Sequence, residues 1–128
     1  MSMKQIVLSL PALLLAAACA QPAGLTDVIE RPAERLLLTG LRAYDDGQYA
    51  EAERSLQAAL KAGLISAKDR AAAHKHLAFI YCTSQRAPAC EAEFREAHVA
   101  DAQFALSKAE NGHPLWGPVY RKVAAAFR

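Results

Sequence analysis

The side chains of this sequence best able to do chemistry are three cysteines, Cys19, Cys82 and Cys90, and four histidines, His74, His76, His98 and His113. Four such groups in a tetrahedron could hold zinc. The spacing argues against it, because His74 and His76 stand two apart in a helical stretch, and helical residues two apart point to opposite sides. A metal centre is therefore not expected, and the sequence suggests no cofactor. Signatures of catalysis are equally thin: no Gly-rich phosphate loop, no serine set between a strand and a helix, no carboxylate pair flanking a cleft. Asp45-Asp46 read as turn residues, and "ERPAER" and "EAEFREAH" as solvated helix faces. The chain is not expected to be an enzyme.

What the cysteines do depends on the compartment, which the N-terminus addresses. Lys4 is the only charge before an apolar run from Ile6 to Ala18, and small residues crowd the end of that run. This is the pattern of a targeting segment, too short for a comfortable membrane span. Cys19 follows directly on Ala16-Ala17-Ala18.

That arrangement resembles the lipobox of bacterial lipoproteins, with one departure. The family usually has leucine three places before the cysteine, whereas here Ala16 holds that place and Leu15 stands one step earlier. The resemblance implies that residues 1–18 are a lipoprotein signal peptide, that Cys19 is the lipidation site, and that residues 19–31 tether a domain to the membrane. Several acyl chains hold a protein stably where a single one holds it reversibly. Ala20, rather than an aspartate, follows the cysteine, so the resemblance further implies the periplasmic face of the outer membrane. An ordinary secretory signal that happens to end near a cysteine is the alternative.

A chain of 128 residues, 53% hydrophobic and 22% charged, makes one small domain able to fold. Its wealth of Ala, Leu, Glu, Arg and Lys favours helix. A net charge of +2 with acids and bases interspersed gives no basic stripe, so nucleic acid is not an expected partner.

The elements that must position any site are six short helices. Pro32 opens the first, which stops at Gly47; the second runs from about Tyr49 to Ala62 and stops at Gly63. Ser66, with Asp69 three places on, starts a third that carries to about Ser84. Pro88 opens a fourth, Asp101 caps a fifth ending at Asn111-Gly112, and a last one covers about Leu115 to Phe127. Short turns between them predict an all-α fold of antiparallel helical hairpins.

Within "GLRAYDDGQYAEAERSLQAAL", Gly40, Gly47, Tyr49, Ala52, Leu56 and Ala59 stand at the spacings of the tetratricopeptide repeat. Small residues there let two helices approach closely, and the larger ones fill the gaps between turns. A second copy has Leu77, Ala78, Tyr81, Cys90, Phe94 and Ala97, although the step from Gly40 to Ala78 exceeds the family's unit of about 34 residues. Residues 32–104 thus resemble two degenerate repeats, with 105–128 as capping helices; an unrelated array of helical hairpins is the alternative.

If Cys19 is lipidated, Cys82 and Cys90 remain as an even pair in an oxidising compartment, and they are expected to form a disulfide across the turn "TSQRAPA". Two separate buried thiols are the other possibility. In repeats of this family the positions of Leu37, Leu41, Tyr44, Lys75 and Phe79 face a concave groove, which would suit a peptide segment of a partner. A short stack could equally close over them as core. Trp116 and Tyr120, in "NGHPLWGPVYR", could anchor an interface or plug the end of the stack.

Lipobox, two degenerate repeats, one cysteine in each helix of the second, and the closing "GHPLWGPVY" are similar to small lipoproteins associated with bacterial type VI secretion clusters. The expected function is a lipid-anchored adaptor for a protein of an envelope complex. A pilotin-like assembly factor for an outer-membrane or pilus component is the alternative.

Overall fold

The computed structural model describes residues 31–128; the signal segment, Cys19 and the tether as far as residue 30 lie outside the described residues. The described chain is all-helical: α1 Pro32–Asp45, α2 Tyr49–Ala62, α3 Ala67–Thr83, α4 Ala87–Ala100, α5 Lys108–Asn111 and α6 Gly117–Ala125. None of these helices is long and apolar enough to cross a membrane.

Local chemistry accounts for most of the boundaries. Pro32 and Pro88 sit in first turns, where a missing N–H costs nothing. Gly47 (φ 73°) and Gly63 (φ 95°) adopt the left-handed conformation that ends α1 and α2. The Ser66 hydroxyl accepts the Asp69 N–H at 3.1 Å and caps α3.

The chain pairs α1 with α2 and α3 with α4 as closely packed hairpins, and α2 lies against α3. Within the first hairpin a Cβ on Gly40 would stand 2.8 Å from Leu56 Cγ, so only glycine permits this approach. Five consecutive residues of α3, Leu77 to Tyr81, are buried. A helix covered on all sides is the centre of its domain. Leu56, Phe94 and Cys90 are fully enclosed.

A disulfide joins Cys82, in the last turn of α3, to Cys90, in the first turns of α4, with the Cα atoms 5.2 Å apart. The turn between them carries Gln85 at φ 63°.

The expected helix from Asp101 to Asn111 is a correction: only Lys108–Asn111 is helical. Asp101 does turn the chain, its carboxylate accepting the Gln103 N–H at 2.9 Å. The turn is not propagated, because the chain leaves it to seat Phe104 against His98 and Tyr120, and the Leu106 N–H donates to the Tyr120 hydroxyl at 3.2 Å. Helix resumes only where Ser107 and Glu110 form a reciprocal capping box. The last helix is shorter than the expected 115–127 because residues 113–116 form a turn that lies across α3.

Candidate partner-binding site

The C-terminal segment determines which of the candidate residues are accessible. Trp116 lies flat on Phe79, with ring centroids 4.0 Å apart and planes at 21°. His113 stacks on Trp116 in turn, at 3.4 Å and 5°. The indole N–H donates to the Glu110 carbonyl at 2.7 Å. Lys75 pairs with the Glu110 carboxylate at 3.0 Å and stands 5.9 Å from the centre of the Phe79 ring. Burial alone would push the Glu110 carboxyl up; the bonds from Lys75 and Ser107 outweigh it and hold it below its usual range.

Phe79, under that stack, is core at 4% exposed; Leu37 of α1 is core as well, at 5%, and neither lines an open groove. Leu41 packs half-buried against the same core. Tyr120 is buried too, its ring 5.6 Å from that of Phe94, which in turn lies 6.2 Å from Phe79. The structure thus gathers Tyr44, Lys75, Phe79 and Trp116 into one cluster and assigns Tyr120 to the packing of α6 on α4.

Beside the stack an open cleft of about 490 Å³ remains, at the edge where the α1–α2 turn meets the end of α3. Tyr44, from the last turn of α1, and Tyr49, from the first turn of α2, meet edge to face at 5.4 Å. Gly47 brings them together, since its left-handed turn reverses the chain between the two helices. Tyr44 also meets His76 edge-on at 5.0 Å. Burial, then Tyr49, Asp45 and Glu110, raise the Tyr44 hydroxyl above its ordinary pKa, so it stays protonated. Burial holds His76 below the usual imidazole range, and its Nδ1 bonds the Ala72 carbonyl at 2.8 Å.

The facing wall is an ion pair. Arg86 meets both carboxylate oxygens of Glu53 at 2.8 Å, a fork-on-fork geometry, and its guanidinium lies 4.4 Å from the centre of the Tyr81 ring. The bond from Arg86 holds the Glu53 carboxyl below its usual range. Tyr81 in turn accepts from Gln57 Nε2 at 2.8 Å.

Of the cleft's walls, the sequence had singled out Tyr44 and Trp116. Tyr49 was read only as a packing residue of the hairpin, yet it is 52% exposed. Glu53 and Arg86 lie 33 positions apart, and nothing local marks them as partners. Among the described residues, no group of three or more His, Cys, Asp or Glu could hold a metal ion.

Comparison with protein-family models, curated proteins and solved structures finds no match for this chain. What defines it is its own architecture: among the described residues, two helical hairpins, the second cross-linked by a disulfide and covered by an aromatic plug, with an aromatic cleft open beside the plug.

Proposed function

We propose that this chain is a lipid-anchored adaptor that holds a protein of an envelope machine at the periplasmic face of the outer membrane, with its two hairpins as degenerate tetratricopeptide units. The observation that carries the reading is the Cys82–Cys90 bond. A structural disulfide persists in oxidising compartments such as the periplasm. It uses both cysteines other than Cys19, the one that the lipobox-like stretch sets aside for acylation. A stack of two hairpins gains stability mainly through neighbours, so a covalent link within the second hairpin suits a domain that works outside the cell's reducing interior. An open cleft with aromatic walls, beside the plug and sharing Trp116 with it, is the surface such an adaptor offers to a protein segment.

The test is fractionation of the envelope with wild-type protein and Cys19→Ser, followed by affinity purification from intact envelopes. The wild type should travel with the outer membrane through a high-salt wash and bring an envelope protein with it. Cys19→Ser should appear in the soluble fraction. Retention of Cys19→Ser on washed membranes would rule out the lipid anchor.

A further inference from the structure

The C-terminal packing leaves a second recess, of about 460 Å³, between the end of α4 and α6. Four rings line it. His98 stacks on Phe127 at 4.7 Å and 13°, lies parallel to Tyr120 at 6.0 Å and 9°, and meets Phe104 edge-on at 5.0 Å. One of these rings, Phe127, is 47% exposed. The same recess carries two guanidiniums, Arg121 and Arg128, and no Asp or Glu lines it. Arg121 is fixed in place, its Nη1 donating to the Asn111 carbonyl at 2.8 Å and to the Asn111 side-chain oxygen at 3.0 Å. Gly117 permits that reach, because a Cβ there would collide with the same carbonyl oxygen. Both acceptors are neutral, and among the described residues the Nε and Nη2 of Arg121 have no hydrogen-bond partner and neither guanidinium has an ion-pair partner. The acids of the neighbouring segments are placed elsewhere. Asp101 accepts the Gln103 N–H and lines a different pocket against α3, Glu110 pairs with Lys75, and Glu96 stands two residues from His98, on another side of α4. Helix α6 itself holds no acid. Arg86 shows the completed form of such a site, a guanidinium over the Tyr81 ring that takes both carboxylate oxygens of Glu53. Arg121 lacks the carboxylate.

We propose that this recess receives an acidic side chain and an aromatic neighbour from an extended segment of a protein partner, the carboxylate on Arg121 and the aromatic ring on Phe127. The free Nε–Nη2 edge of Arg121 is a planar fork that a carboxylate meets with both oxygens. It is held by neutral acceptors, so it binds without first giving up another ion pair. Arg128 adds a second positive charge to the recess, which draws acidic segments in and selects against basic ones. The exposed Phe127 ring supplies the apolar contact that a charge alone lacks.

This proposal rests on the adaptor reading only in taking the ligand for part of a protein, and it is tested separately from the anchor. The full chain in detergent solution is titrated into a rhodamine-labelled Gly-Phe-Glu-Phe-Gly amide and into its glutamine twin, which keeps shape and loses charge, with anisotropy as the readout. The glutamate probe should bind about ten-fold more tightly than the glutamine one, and its advantage should shrink as ionic strength rises. Arg121→Gln should cut that advantage to about three-fold, and Arg121→Gln with Arg128→Gln should abolish it. Arg121→Lys, which keeps the charge and loses the fork, should keep an advantage of about five-fold. Phe127→Ala should weaken both probes about three-fold and leave their ratio unchanged. Arg35→Gln, an exposed arginine of α1 outside the recess, should change nothing. All the replaced side chains are surface ones, and melting curves establish that each variant is folded. Equal affinity for the two probes would overturn the proposal, as would a glutamate advantage that survives loss of both arginines. A Cys19→Ser protein that stays on membranes yet discriminates the probes would remove the anchor and leave the recess assignment standing; a released Cys19→Ser protein that does not discriminate them would do the reverse.

Discussion

Trp116 covers Phe79 ring on ring at 4.0 Å, and this one contact turns what would be an open groove of the second hairpin into interior. The indole is itself covered by His113 and bonded through its N–H, so the turn 113–116 is held by stacked rings as well as by its own backbone. Trp116→Ala removes a half-buried ring and exposes Phe79. It should lower stability by about 2–3 kcal/mol, less than the loss of a fully enclosed tryptophan. Leu115→Ala, at the exposed neighbouring position, should cost less than about 0.5 kcal/mol. Thermal melts of the two variants decide it. Equal small losses would show that the stack contributes little to the fold.

Reduction of the disulfide is the second test. The bond closes a loop between residues eight positions apart, and on the chain-entropy model it stabilises by about 2–3 kcal/mol. Cys90 is also fully enclosed, so replacing it by serine adds the burial of a hydroxyl, whereas Cys82 is only half-buried. Cys82→Ser and the reduced wild type should therefore melt at similar, lower temperatures, and Cys90→Ser lower still. A reductant that leaves the melting temperature unchanged would contradict this assignment.

The pH dependence has a definite sign. Burial holds both His76 and His98 below the usual imidazole range. As pH falls through about 6.5, the unfolded chain takes up protons that the folded chain refuses, so stability should decline from there down to the folded pKa values. The carboxylates act in a lower window. Glu53, held down by its bond with Arg86, and Glu110, held down by Lys75 and Ser107 against its burial, lose their contributions below about 4.5. His98 makes the first window separable. Its Nε2 is buried without a partner among the described residues, and its ring stacks on Phe127 at 4.7 Å. His98→Phe keeps the stacking and removes the stranded nitrogen, so it should melt at or above the wild type by an amount worth up to about 1 kcal/mol. Its decline between about pH 7 and about pH 5.5 should also be shallower. A steeper slope in the variant would contradict the account.

The sequence shows the hairpins clearly, because their determinants are local or periodic. Pro32, Gly47, Gly63 and Ser66 each mark an end through a backbone preference or a cap that one residue supplies. Gly40 and Leu56 are legible as a close approach because small and large residues alternate at helical spacing. The C-terminal third is less legible. Asp101 carries a helix-start signal, yet whether the turn propagates depends on Tyr120, nineteen positions away, whose hydroxyl takes the Leu106 N–H. The cover over Phe79 follows from where Trp116 lands. The cleft was half legible: Tyr44 and Trp116 announce themselves as aromatics beside turns, but the Glu53–Arg86 fork joins two hairpins and leaves no local trace.

Where the chain works and how it is held there can be read from an intact mass of the protein extracted from envelopes without reductant. The expected chain begins at an acylated Cys19 and is lighter by two hydrogens for the Cys82–Cys90 bond. A chain that retains Met1, or one cut elsewhere with Cys19 unmodified, would contradict it.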